Sequence, residues 1–153
     1  SLAAALDLNH VDLDQVIESK TNKSIDALFE IHGEAYFREI EKNALQELLE
    51  KSSTDILSCG GGTPCFYDNM SRMNVAGLTI FLDIPVSTIV KRIAENHDRP
   101  LLKNKNLEKK ITQLRVERLQ YYHQAQLIFN ETHDPIESVG EIQSFLKIQS
   151  KGQ

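Results

Sequence analysis

Between Thr79 and Asp83 the chain runs Ile80-Phe81-Leu82 with no polar residue interposed. A strand with one face in water alternates apolar and polar residues, whereas an unbroken apolar run fits a strand buried on both faces, as in helix-covered parallel sheets. Helical patterns flank this run on both sides. From Gly33 to Lys51, Phe37, Ile40, Ala44, Leu45, Leu48 and Leu49 share one face at helical spacing. Asn9 to Asp12 reads as a short strand running into a helix that begins near Asp14, and Ser24 caps a short helix through Phe29. Asp55 to Cys59 reads as a buried strand, and Asp68 to Ala76 as a helix stopped by Gly77. Pro85 opens a helix lined by Val86, Ile89, Val90 and Ile93. The polar stretch from Asn96 to Glu108 reads as a mobile surface segment. A long helix then reaches about Gln124, followed by the strand Leu127-Ile128-Phe129 and a last helix from Ile136.

This alternation predicts an α/β fold in three layers, α/β/α, around a mostly parallel sheet. With 153 residues the chain is read as one domain, residues 1–153. Ligands of such sheets bind at the carboxyl ends of the strands, and the unusual residues fall there. Asp12 and Asp14 follow the first strand, Gly60-Gly61-Gly62 the second, and Asp83 with Pro85 the third. Three consecutive glycines let backbone N–H groups approach a ligand with no side chain in the way.

Seventeen Lys plus Arg against 22 Asp plus Glu give a net charge of −5, which argues against a nucleic-acid partner. Three separated arginines, Arg38, Arg99 and Arg118, still suit an anionic ligand if they converge in one cleft. No apolar run approaches the ~20 residues of a membrane span, and no secretory signal pattern is present; a cytoplasmic protein is expected. Cys59 and Cys65 are read as reduced thiols, and the scattered histidines give no structural metal site.

The motifs resemble the shikimate kinases, P-loop small-molecule kinases of the nucleoside monophosphate kinase type. The matching pieces are Val11-Asp12-Leu13-Asp14 running into Val16-Ile17-Glu18, and Gly33-Glu34 with Phe37-Arg38 and Glu41. Gly60-Gly61-Gly62, Phe81-Leu82-Asp83, Arg99-Pro100-Leu101-Leu102, and Arg118 with Tyr122 follow in the family's order. The resemblance implies transfer of the γ-phosphoryl of ATP, with Mg2+, to the 3-hydroxyl of shikimate, as part of chorismate and aromatic amino-acid biosynthesis. It implies a five-stranded sheet and a monomer.

The family's opening strand and its Gly-x-x-Gly-x-Gly-Lys-[Ser/Thr] loop have no counterpart here. Ser1-Leu2-Ala3-Ala4-Ala5-Leu6 resembles the tail of the helix after that loop. Roughly 15–25 residues of a ~30-residue βαβ unit would thus be missing, including the first central strand, without which the sheet would be split. The sequence is therefore read as an N-terminally truncated kinase domain, inactive if these residues are the entire chain.

By the resemblance, Arg38 and Arg118 bind the acceptor carboxylate, and Asp14 orients the acceptor hydroxyls and takes part in catalysis. Gly60, Gly61 and Gly62 present backbone N–H groups to the bound acid. Asp12 holds Mg2+ through water, and Arg99, in a lid segment at about 96–110, closes over the nucleotide phosphates. The residues alone leave other readings open: Arg38 as a helix charge paired with Glu34 or Glu41, Asp12 as an N-cap, and Arg99 as a solvated loop residue. A gluconate-type kinase and a non-catalytic acid-binding relic are the alternative functions.

Overall fold

A computed structural model describes residues 2–51, 54–96, 104–130, 139–140 and 142–143. The chain forms two compact units, Ser1–Gly77 and Leu78–Gln153.

The first unit contains α1 (Leu2–Leu6), β1 (His10–Asp12), α2 (Leu13–Thr21), α3 (Ile25–Glu50), β2 (Ile56–Ser58), a single 3₁₀ turn (Thr63–Cys65) and α4 (Asn69–Ala76). Caps fix the helix starts. Asp12 stays extended and its Oδ1 accepts from the Asp14 and Gln15 N–H groups at 2.9 and 3.2 Å. Ser24 Oγ accepts from Ala27 N–H at 3.2 Å. Within α3, Gly33 leaves helical geometry at φ 79°, so a short helix and a long one meet at a kink that only glycine adopts without strain.

The apolar stripe of α3 enters the core as expected. Phe37, Ala44, Leu45 and Leu48 are buried with Leu13, Ile17 and Leu28, while Ile40 and Leu49 pack at the margin. Full burial of each of the leucine, isoleucine and phenylalanine side chains stabilises by about 1.5–3 kcal/mol. β1 and β2 pair in parallel, with Asp12 opposite Ser58, so both strands end at one edge.

The second unit contains β3 (Ile80–Asp83), α5 (Val86–Asn96), α6 (Asn104–Tyr122) and β4 (Leu127–Asn130). β3 and β4 are parallel, with Asp83 opposite Asn130. Phe81 meets Tyr122 at a ring separation of 4.9 Å, and Arg115 Nη1 donates to Asp83 Oδ1, which seats the end of α6 against β3. Phe129 is buried. These contacts make Tyr122 and Phe129 packing residues.

The α/β class and the parallel pairing stand as expected. Among the described residues, four strands form two parallel pairs, β1–β2 and β3–β4, the split expected of the five-stranded sheet without its first central strand. β2 is half-buried rather than buried. Leu82 is 63% exposed and Ile128 40% exposed, against the expected burial of β3 on both faces. The segment at about 96–110 is not a single connecting loop: α5 runs through Asn96 and α6 begins at Asn104. Residues 97–103 lie outside the described residues. So does most of the last helix expected from Ile136, of which 139–140 and 142–143 are helical.

Candidate active site

Parallel pairing in register brings the ends of β1 and β2 together, and the residues that follow them meet. Asp14 lies in the first turn of α2, opposite the glycine turn after β2. A Cβ built on Gly60 would stand 3.8 Å from each Asp14 carboxylate oxygen. Burial pushes the Asp14 carboxyl above its ordinary value, and the like charges of Asp12, Glu41 and Glu18 add to the shift, with Arg38 acting against them. Such a group holds its proton more strongly than an ordinary aspartate.

The turn itself is drawn tight by backbone bonds from Thr63 N to Gly60 O (3.0 Å) and Cys65 N to Gly62 O (2.9 Å). Gly62 lies against Arg38: an added Cβ would fall 2.6 Å from both Nη1 and Nη2. That guanidinium has little room to yield. Its Nε and Nη2 donate to Glu34 Oε1 at 3.2 and 3.0 Å, and Nη1 donates to Glu41 Oε2 at 2.8 Å. The Phe66 ring lies 4.2 Å from its central carbon, with Phe37 at 5.1 Å.

Arg38 therefore pairs with both helix neighbours, yet it is no surface charge, being only 8% exposed. The three bonds use three of the five N–H donors of an arginine, leaving two, one on each terminal nitrogen. Both remaining donors are available to an anionic ligand such as a carboxylate.

Sequence reasoning missed the support beneath Arg38. Glu41, 1% exposed, also accepts from Thr63 Oγ1 at 2.7 Å, and Asn69 Nδ2 donates to the Thr63 carbonyl at 2.9 Å. Asn69 Oδ1 is buried with no partner among the described residues. Phe66 lies over Arg38 in extended backbone, and Tyr67 after it takes φ 52°, a left-handed conformation unusual for an aromatic residue. The only local signal was Glu41 at helical spacing from Arg38, which reads equally well as a surface ion pair.

Asp12 serves as the α2 cap through Oδ1, which accepts both cap hydrogen bonds. No group of three His, Cys, Asp or Glu side chains among the described residues could enclose a metal. A lone carboxylate acting through water fits the habit of Mg2+, which retains most of its waters. Cys59 and Cys65 are free thiols. Cys59 exposes surface as a residue, yet desolvation of its thiol, reinforced by the charges of Glu41, Asp14 and Asp12, pushes its pKa up to about 12.

In the second unit Arg118 lies on α6, partly exposed, one turn beyond Arg115. Arg115 is taken by Asp83, while no carboxylate among the described residues pairs with Arg118. Arg99 lies outside the described residues.

Residues 1–147 match the family model described as shikimate kinase. The chain belongs to the shikimate kinase family. It is thus an ATP-dependent phosphotransferase of the P-loop kinase fold. The shikimate kinase of Bacteroides thetaiotaomicron is 39% identical over 148 residues, covering 94% of this chain and 83% of that protein. That of Phocaeicola vulgatus is 37% identical over the same length and coverage. Among solved structures, a crystal structure of the B. thetaiotaomicron enzyme matches with a TM-score of 0.80 at 38% identity, covering 95% of this chain and 88% of that one. A shikimate kinase from Acinetobacter baumannii, solved in complex with shikimate, matches with a TM-score of 0.80 at 28% identity, covering 99% of this chain and 85% of that one. No helix among the described residues is long and apolar enough to cross a membrane.

Proposed function

We propose that the glycine turn after β2 is the seat of shikimate, with Arg38 receiving its carboxylate and Asp14 its hydroxyls. The observation that carries this reading is that one turn lies against both groups, Gly60 facing Asp14 and Gly62 facing Arg38. The two glycines are two residues apart, so their α-carbons are at most ~7 Å apart. A cation and an anion at the two ends of so short a turn suit a small ring with a carboxylate on one side and hydroxyls on the other. The A. baumannii relative solved with shikimate supports the choice of acid.

In the reaction the acceptor 3-hydroxyl oxygen bonds to the γ-phosphorus as the bond to the β,γ-bridging oxygen breaks, giving shikimate 3-phosphate and ADP. Asp14 accepts a hydrogen bond from the hydroxyl, aims its oxygen at the phosphorus and takes its proton; a raised pKa favours that last role. Arg38 and Arg118 hold the carboxylate, and Gly60, Gly61 and Gly62 offer backbone N–H groups to the acid. Arg99 neutralises charge on the transferring phosphoryl group and helps exclude water. Mg2+, held through water by Asp12, supplies charge neutralisation on the phosphates when bound. The protein works as a monomer in the cytoplasm.

The test is the identity of the product. NMR of a reaction with Mg·ATP and shikimate should place the new phosphate on the 3-hydroxyl, and Arg99→Ala should lower kcat with little change in shikimate KM. Phosphate at another hydroxyl, or kcat unchanged in Arg99→Ala, would overturn the corresponding assignment.

A further inference from the structure

We infer that Thr63 is a positioning residue for acid recognition: through Glu41, its hydroxyl holds the Arg38 guanidinium in register with the glycine turn. The inference rests on the reading of Arg38 as receptor of the acceptor carboxylate.

Thr63 follows Gly62 directly, so its hydroxyl belongs to the same turn that faces the ligand. It is fully buried and donates to Glu41 Oε1 at 2.7 Å, while Glu41 Oε2 accepts from Arg38 Nη1 at 2.8 Å. Each oxygen of this buried carboxylate therefore has a strong donor, and each donor comes from a different element. Thr63 is itself fixed, its carbonyl accepting from the buried Asn69 at the start of α4 and its N–H bonding Gly60 O. A continuous line of bonds thus runs from α4 through the turn to Glu41 and Arg38.

A buried carboxylate oxygen deprived of its donor seeks another. A source already bonded to the same carboxylate is Arg38, whose N–H groups left over by Glu34 and Glu41 are the ones the ligand carboxylate would use. Deleting the Thr63 hydroxyl therefore turns the guanidinium toward Glu41 and away from the acid. The fold can survive this change while acid recognition suffers.

The test measures shikimate KM, ATP KM and kcat for the full chain and its Thr63→Val, Thr63→Ala and Thr63→Ser forms, each checked for a cooperative melt. Val and Ala should each raise shikimate KM about tenfold, a loss comparable to one hydrogen bond to a charged group. Ser, which keeps the donor, should restore it, and kcat and ATP KM should stay within about twofold. The second hydroxyl-free form keeps the test decisive should Val distort the turn. Wild-type shikimate KM in either folded hydroxyl-free form overturns the inference, as does an equal loss in all three constants. Arg38→Ala in the same assay separates the two levels. If it raises shikimate KM while Thr63→Val does not, only the role of Thr63 falls. If neither variant moves it, the reading of Arg38 falls as well.

Discussion

The α-carbon of Gly62 lies so close to Arg38 that a single methyl group there would stand 2.6 Å from both terminal guanidinium nitrogens. No carbon reaches a nitrogen that closely without displacement. A long side chain ordinarily swings aside, but this one is held by Glu34, Glu41 and the Phe66 ring. The absence of a side chain at Gly62 is thus part of how Arg38 is placed, in addition to any N–H the turn offers a ligand.

Gly62→Ala should accordingly raise shikimate KM by tenfold or more, on the order of 1.4 kcal/mol, while ATP KM stays unchanged. Gly60→Ala serves as the comparison, because its Cβ meets Asp14 at an ordinary 3.8 Å and should cost far less. Steady-state constants for the two variants check this; equal effects would contradict it.

Asp14 gives a prediction of opposite sign for stability and activity. Its carboxyl is raised above 3.8 in the folded chain, so across the window from 3.8 up to that raised value the folded state binds more protons than the unfolded state. Stability therefore falls as pH rises through that window and stays lower above it. Asp14→Asn should raise Tm at pH 7 and abolish turnover, with the gain in Tm shrinking as pH drops toward 3.8. Melting curves across pH check the first part; a lower Tm at pH 7 would refute it.

Arg118→Ala should raise KM for the acid through loss of a charge-assisted pair worth about 1.5–3 kcal/mol. A rise confined to ATP KM would place Arg118 at the nucleotide instead.

Cys59 stands beside the site and should nevertheless react slowly. With its pKa pushed up to about 12, the thiolate fraction at pH 8 is on the order of 10⁻⁴. Alkylation by iodoacetamide at pH 8 should label Cys59 far more slowly than free cysteine, read by peptide mass mapping. Labelling at the rate of free cysteine would contradict this.

Much of this arrangement was legible in the sequence because it depends on local signals. Ser24 and Asp12 announced two helix starts, Gly33 the break in α3, and the α3 stripe its buried face. The meeting of Asp14 and the glycines followed from one rule, that parallel strands end at a common edge, whereas Arg38, on a helix, was placed with them by the family resemblance. The support of the site was not legible. Whether Glu41 is exposed or buried depends on what the glycine turn places over it, and its bond to Thr63 joins residues 22 apart. The Phe66 ring over Arg38 joins residues 28 apart in sequence, which no local preference announces. The apolar run at Ile80-Phe81-Leu82 signalled the strand correctly but not its surroundings, since Leu82 stands 63% exposed.

The most direct measurement is ADP release by the purified, mass-verified full chain with Mg·ATP, titrated with shikimate and, in parallel, with gluconate. Saturable turnover on shikimate and none on gluconate is the predicted result. Turnover on gluconate alone, or neither turnover nor a rise in Tm with shikimate, would contradict the assignment of the glycine turn, Asp14 and Arg38 to shikimate.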